Sequence, residues 1–409
     1  MSLEEEKRVQ VRVAGDAALA SEDLNDPTAG VTKATPQIVV DENVSEDKGK
    51  EKQGIVPGSG WAHHREENRK SAPSARVVLP GTQDDTLGAE TDEDEGDGEK
   101  SEEEEADDGD FLSDFPDDSP ELELLHCRIG SLANLHLARF AAHLRKLCLR
   151  QNIISHLDPE VFHQLTLLEE LDLYDNKIKS VGDALDKLQK LTVLDLSFNL
   201  LRAVPDRLEF LTSLDTIYFV QNKISKITGF NHSGSLRSLE LGGNRIRKME
   251  GLDALVNLEE LWLGKNKIAK LEGIGNLRKL KILSLQSNRI TKLENLDTLT
   301  DLDQLYLSHN GLERLEGLEH NTQLTTLDVG NNFIPAIENI DHLVNLEELW
   351  MNGNKIPDLH SLDAQLRHIK TLKTLYLEAN PCQTLDRAGY RRKVMLALPQ
   401  LTQIDATYV

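Results

Sequence analysis

Leu258-Glu259-Glu260-Leu261-Trp262-Leu263-Gly264-Lys265-Asn266-Lys267-Ile268 is the stretch on which the reading of this chain turns. Its spacing is L-x-x-L-x-L-x-x-N-x-I, and the same segment recurs from about residue 122 to residue 382. The asparagine sets the register: it falls at Asn152, Asn176, Asn199, Asn222, Asn244, Asn266, Asn288, Asn310, Asn332, Asn354 and Asn380. The steps are 24, 23 and 23 residues, then 22 six times in succession, then 26. Cys127 takes the same place in a degenerate first copy, Leu122 to Ile129. A unit of this length cannot bury its own leucines; it buries them by stacking on its neighbours.

The pattern is that of a leucine-rich repeat. It predicts an α/β repeat solenoid, a horseshoe of about twelve repeats with a concave parallel sheet. In Leu258-x-x-Leu261-x-Leu263 the leucines point inward, and the residues between them point outward because strand side chains alternate. The asparagine amide is expected to satisfy backbone groups where the chain leaves the strand. Segments such as Ile268-x-x-Leu271-x-x-Ile274-x-x-Leu277 carry apolar residues every three positions, which suits 3₁₀ or short helical turns on the outer side. The longer early steps leave room for loops around Asp158-Pro159 and Val204-Pro205.

Charge divides the chain. Residues 1–118 hold 33 acidic and 12 basic residues, so they supply most of the chain's net charge of −24. With few large apolar groups they read as a disordered acidic N-terminal tail, unable to offset the entropy of ordering. Glu90 to Asp110 is an acidic block, read as a solvated spacer or as a contact for a basic partner. Thr91 and Ser101 precede acidic residues and are candidate phosphorylation sites for an acid-directed kinase. Asp92-x-Asp94 lacks the glycine and distal glutamate of a calcium loop. His63-His64 has no further ligand at a useful spacing, so no metal site and no cofactor are expected. Trp61 is an isolated aromatic in the tail. The solenoid is assigned to residues 119–379 and a C-terminal cap to 380–409. Phe111, Leu112, Phe115 and Pro116 are placed to cover the open first turn. Arg391 to Pro399 reads as a short helix with its stop.

Cys127, Cys148 and Cys382 lie on the repeat register and form neither a disulfide framework nor a zinc site. The N-terminus has no apolar signal segment, and no run of 18 apolar residues exists. These features predict an intracellular, non-secreted protein with no membrane partner. No phosphate loop and no nucleophile elbow is present. The recurrence of Glu169-Glu170, Glu259-Glu260 and Glu347-Glu348 with the repeat argues for architecture over a catalytic carboxylate pair. The chain is therefore read as a non-enzyme.

Function is sought in the residues that the core does not dictate. The position between the last two leucines reads Cys148, Asp172, Asp195, Tyr218, Glu240, Trp262, Ser284, Tyr306, Asp328, Trp350 and Tyr376. Two residues earlier stand Glu170, Glu260 and Glu348, with Lys146 as the only base of that column. Aromatics are the usual anchors of protein interfaces. An acidic and aromatic concavity suits a basic and apolar protein surface and repels nucleic acid phosphates.

The repeats and the segment Tyr390-Arg-Arg-Lys-Val-Met-Leu-Ala-Leu-Pro-Gln-Leu-Thr-Gln-Ile-Asp-Ala-Thr407 closely resemble the family of regulatory subunit seven of protein phosphatase 1. Leu194 to Leu201, Leu263 to Ile268 and Leu305 to Gly311 resemble it too, and the likeness covers roughly residues 120–409. It implies a non-catalytic subunit that holds the phosphatase catalytic subunit on its concave face and is otherwise monomeric. It implies nuclear and cytoplasmic location and a role in mitosis. The family's contact positions fall on Asp195, Tyr218, Glu240, Trp262, Asp328, Glu348, Trp350 and Tyr376. Tyr218 and Trp262 stand where the family more usually has Phe. Tyr306 joins this set by position alone. Arg8-Val9-Gln10-Val11 ends in Val where a phosphatase docking motif needs Phe or Trp, so binding is expected to run through the solenoid. The competing readings are an acidic nuclear chaperone for histones or other basic proteins, and a general interaction scaffold.

Overall fold

The computed structural model describes residues 112–231 and 233–409, all within the unit Ala75–Val409. The acidic block, Thr91, Ser101, Trp61 and His63-His64 lie outside the described residues. The chain forms a solenoid whose twelve repeat turns each contribute one three-residue strand to a 14-stranded sheet, completed by two strands of two residues at its C-terminal end. The strands are β1 (Glu121–Glu123), β2 (Lys146–Cys148), β3 (Glu170–Asp172), β4 (Val193–Asp195), β5 (Thr216–Tyr218), β6 (Ser238–Glu240) and β7 (Glu260–Trp262). They continue as β8 (Ile282–Ser284), β9 (Gln304–Tyr306), β10 (Thr326–Asp328), β11 (Glu348–Trp350), β12 (Thr374–Tyr376), β13 (Gln403–Ile404) and β14 (Thr407–Tyr408). Strand order equals chain order; β1 to β13 are parallel and β14 turns back antiparallel. Equivalent residues of successive copies lie side by side, as in Glu240, Trp262 and Ser284.

The middle residue of each strand, the leucine after it and the apolar residues of the outer segment form one continuous core. The asparagines hold the turns to one another. Asn266 Nδ2 donates to Leu263 O of its own turn and to Leu241 O of the turn before, both at 3.0 Å. Its Oδ1 accepts from Ile246 N at 3.0 Å. Asn152 through Asn380 repeat this arrangement, so each turn leaves the strand without orphaned backbone groups. In the degenerate copy the Cys127 thiol, a weak donor, points to Leu125 O at 3.3 Å.

Three details differ from the sequence reading. The tail-to-solenoid boundary expected at 118/119 comes too late: Leu112 is fully buried and Phe115 is 8% exposed, both within the core. Arg139 fixes this N-terminal closure by donating from Nη2 to the carbonyls of Leu112 and Phe115. Leu112 and Phe115 thus cover the open first turn as their apolar character suggests, which moves the boundary earlier. The loop expected at Asp158-Pro159 is a helical turn, α1 (Pro159–Phe162), because Pro159 presets its first residue and Asp158 Oδ1 accepts from Glu160 N at 2.8 Å. The outer segments of the 22-residue turns are mostly successive three-residue turns, for instance Leu277 N to Ile274 O and Leu280 N to Leu277 O, each 3.0 Å.

The far end closes with helices α2 (Leu362–Leu366), α3 (Pro381–Thr384) and α4 (Tyr390–Ala397). Asn380 still belongs to the ladder, since its Oδ1 accepts from Ile356 N at 3.1 Å. Asp405 closes the last full turn by accepting from Leu377 N and Glu378 N at 2.8 and 2.9 Å, where earlier turns use the carbonyl of the next strand. Tyr390, Val394, Leu398, Leu401 and Ile404 are buried against the last turn. Among the described residues no helix is long and apolar enough to cross a membrane.

Candidate functional site on the strand face

Because strand side chains alternate, the first and third residues of every strand face away from the core and form two columns across the sheet. Asp195, Tyr218, Glu240, Trp262, Tyr306, Asp328, Trp350 and Tyr376 all stand in the third-residue column, and Glu348 stands in the first.

The rings fall into two groups. Trp262 and Tyr306 stack with centroids 6.3 Å apart and planes 21° from parallel. They sit on β7 and β9, and the strand between them carries the small Ser284, 1% exposed. Trp350 and Tyr376, on adjacent strands, are 5.5 Å apart at 59°. Such pairs are worth about 0.5–1.5 kcal/mol beyond area burial. The hydroxyls are held as well: Tyr306 OH donates to Gln304 Oε1 at 2.9 Å, and Gln403 Nε2 donates to Tyr376 OH at 2.8 Å. Burial and the Glu348 carboxylate push the Tyr306 phenol up to about 12, so it stays a neutral donor.

The columns are more enclosed than alternation predicts. Asp195 and Asp328 are each 3% exposed and Trp262 is 8% exposed, so none of the three stands free in solvent. Neighbouring turns lie close enough for large side chains to cover small ones. The aspartates also have a structural task. Asp172, Asp195 and Asp328 accept from the N–H two residues on, at 3.0, 2.8 and 3.0 Å. Burial raises the Asp328 carboxyl above the usual carboxylate range, despite its hydrogen bonds from Ser308 and the Gly330 N–H. The Trp350 Nε1 is buried and has no hydrogen-bond partner among the described residues.

The first glutamate of each Glu-Glu pair serves the scaffold. Glu259 bridges Arg237 and Lys281 of the adjacent turns at 2.5 and 2.6 Å, Glu347 pairs with Lys373 at 2.6 Å, and Glu169 pairs with Arg145. Lys146 is neutralised by Glu170 at 3.2 Å and Glu121 at 3.7 Å, which leaves the face acidic. Cys127, Cys148 and Cys382 are free thiols.

Sequence reasoning missed one recurring feature. The residue before each ladder asparagine is left-handed in every copy from Gln151 to Ala379, with φ between 52° and 66°. Only Gly243 and Gly353 among these are glycines, so composition gives no hint of the conformation.

Two leucine-rich-repeat family models match the chain, one over residues 142–201 and the other over 206–296 and 283–409. Protein phosphatase 1 regulatory subunit SDS22 of Saccharomyces cerevisiae is 45% identical over 91 residues, which is 22% of this chain and 27% of that protein. Protein phosphatase 1 regulatory inhibitor subunit PPP1R7 homolog of Arabidopsis thaliana is 38% identical over 143 residues, 34% of this chain and 43% of that protein. The matched segments thus span less than half the length of these curated relatives. Among solved structures, an internalin (inlF) of Listeria monocytogenes superposes with a TM-score of 0.56 at 20% identity, covering 71% of this chain and 87% of that one. That likeness speaks for the fold alone. The chain belongs to the leucine-rich-repeat family.

Proposed function

We propose that this chain binds the catalytic subunit of protein phosphatase 1 on the concave strand face of its solenoid and thereby controls its activity or its placement. The observation that carries the reading is the half-buried Trp350 indole on the strand face, whose ring packs on Tyr376. Large aromatic side chains on a partner-facing surface are the usual carriers of interface binding energy. Trp262 with Tyr306 gives a second aromatic anchor on the same face, and Glu240 and Glu348 give it an acidic character suited to a basic, apolar partner surface. On the resemblance alone, we extend the reading to a nuclear and cytoplasmic protein that acts in mitosis.

Isothermal calorimetry of the full chain against purified catalytic subunit tests the binding, with a Trp262→Ala/Trp350→Ala variant alongside. Aromatic anchors of this kind contribute about 2 kcal/mol or more each, so the double variant should bind roughly 800-fold more weakly while its circular dichroism is unchanged. Equal binding by both proteins would overturn the assignment of the face. A chain lacking residues 1–110 separates this reading from a basic-protein chaperone, because it keeps Leu112 and Phe115 in the core. A phosphatase subunit keeps its partner in that truncation; a chaperone working through the acidic tail loses its cargo.

A further inference from the structure

One flank of the solenoid carries a row of cations that the strand face and its partner leave unused. The residue after each ladder asparagine donates its N–H to the neighbouring turn: Lys223 to Leu201 O, Arg245 to Ile224 O, Lys267 to Ile246 O and Arg289 to Ile268 O, each 2.8 Å. This second ladder aligns the four cations in one row, one per turn. At about 4.8 Å per strand the row spans roughly 14 Å. Lys223, Arg245 and Arg289 are exposed and Lys267 is half-buried.

The row differs from the cations beside it. Three residues further along each turn, Lys270, Lys292 and Arg314 meet Glu294, Glu316 and Glu338 of the next turn at 3.6, 3.7 and 3.3 Å. No such carboxylate reaches Lys223, Arg245, Lys267 or Arg289 among the described residues. Four like charges at this spacing repel one another and attract a polyanion.

We propose that the occupant of this flank is the chain's own acidic block, Glu90–Asp110. The block holds 14 carboxylates and a single lysine within 21 residues. Packed chain begins at Leu112, which is buried at the N-terminal closure beside the first turn. Lys223 follows β5 and Arg289 follows β8, so the row lies four to seven strand spacings from β1, about 19–34 Å. Twenty-one extended residues reach up to about 70 Å. A tethered segment also acts at an effective concentration in the millimolar range, which favours it over an untethered polyanion such as RNA. The acidic block thus shields a basic flank that would otherwise collect nucleic acid non-specifically.

Zero-length carbodiimide cross-linking of the full chain, followed by peptide mass spectrometry, tests this directly. At low salt, links from residues 90–110 should reach Lys223 and Lys267 at least about tenfold more often than the exposed Lys187 and Lys190, independently of protein concentration, and should vanish near 0.5 M NaCl, where the screening length falls to about 4 Å. An Arg245→Glu/Arg289→Glu variant should lose these links and keep the Lys281–Glu259 link, whose partners stand 2.6 Å apart in the scaffold. Equal linking to Lys187 and Lys190, or links untouched in the variant, would overturn the proposal. So would a low-salt gel shift of single-stranded RNA that depends on Arg245 and Arg289 while the tail links are absent.

Discussion

Replacing Asn266 with alanine removes the side chain that ties two adjacent turns of backbone together. Two carbonyls, Leu241 O and Leu263 O, lose donors at 3.0 Å, and the Ile246 N–H loses its acceptor at 3.0 Å. The longer contact to Gly264 O, 3.3 Å, adds little. Leu241 O keeps the Asn244 amide at 2.9 Å and Leu263 O keeps the Asn288 amide at 3.0 Å, so the Ile246 N–H is the group left unpaired. That orphan costs about 1–3 kcal/mol and each of the two lost hydrogen bonds about 0.5–1.5 kcal/mol, reduced where water enters the space the amide vacates. We expect a loss of about 3–5 kcal/mol, read by urea unfolding of the full chain with circular dichroism. Asn266→Asp should be at least as damaging at pH 7. It keeps an acceptor for Ile246 N but turns a carboxylate toward the two carbonyls. Asn266→Cys should fall between wild type and alanine, since Cys127 fills the equivalent place in the first turn with a thiol contact at 3.3 Å. A loss below about 1 kcal/mol for the alanine variant would refute the view that this amide ladder, and not the leucine core alone, holds the turns in register.

Two further outcomes follow from the site and the turns. Asp328 has its carboxyl raised by burial; the folded chain therefore binds that proton more tightly than the unfolded chain, and stability falls as pH rises through the raised folded value. Asp328→Asn, which keeps an oxygen for the Gly330 N–H, should melt above wild type at pH 8, with the gap closing as pH falls toward 4 in a calorimetric series. Gly273 has φ of +68°, and a Cβ there would lie 2.4 Å from Met249 O. Gly273→Ala should cost about 2 kcal/mol or more in the same unfolding assay. Gly273→Asn should cost less, because Asn295 and Asn339 occupy the equivalent place with positive φ and donate to Leu271 O and Leu315 O at 2.6 and 2.7 Å.

The register of the fold could be read in advance because one residue type, at one spacing, has one task. Every asparagine from Asn152 to Asn380 marks the same corner, and the strands stand where the leucine spacing puts them. The enclosure of the face was not readable in the same way. Alternation tells which way Trp262 points, but not that Ser284 leaves room for it to reach Tyr306 across a strand. That depends on the distance between turns, which no single repeat contains. The dual role of Asp195 and Asp328 was hidden for a similar reason: an aspartate that accepts from the N–H two residues on looks, in sequence, like any acidic surface residue. Leu112 and Phe115 could be assigned to the closure of the first turn because a solenoid end needs an apolar cover, even though the carboxylates around them place them in the tail by composition.

The parallel sheet also works as a ruler. Trp262 and Trp350 stand in the same column on β7 and β11, four strand spacings apart, so the distance between the two aromatic anchors is set by a count of turns at about 19 Å along the sheet. The intervening turns repeat at 22 residues, and both ends of the stack are closed by segments that do not repeat, Leu112 to Phe115 at one and the antiparallel β14 at the other. Excising one such unit between Asn310 and Asn332 would shorten the interval by about 5 Å while leaving Trp262 and Trp350 themselves, and both closures, in place. The chain thus encodes a length separately from the chemistry displayed at its two marks.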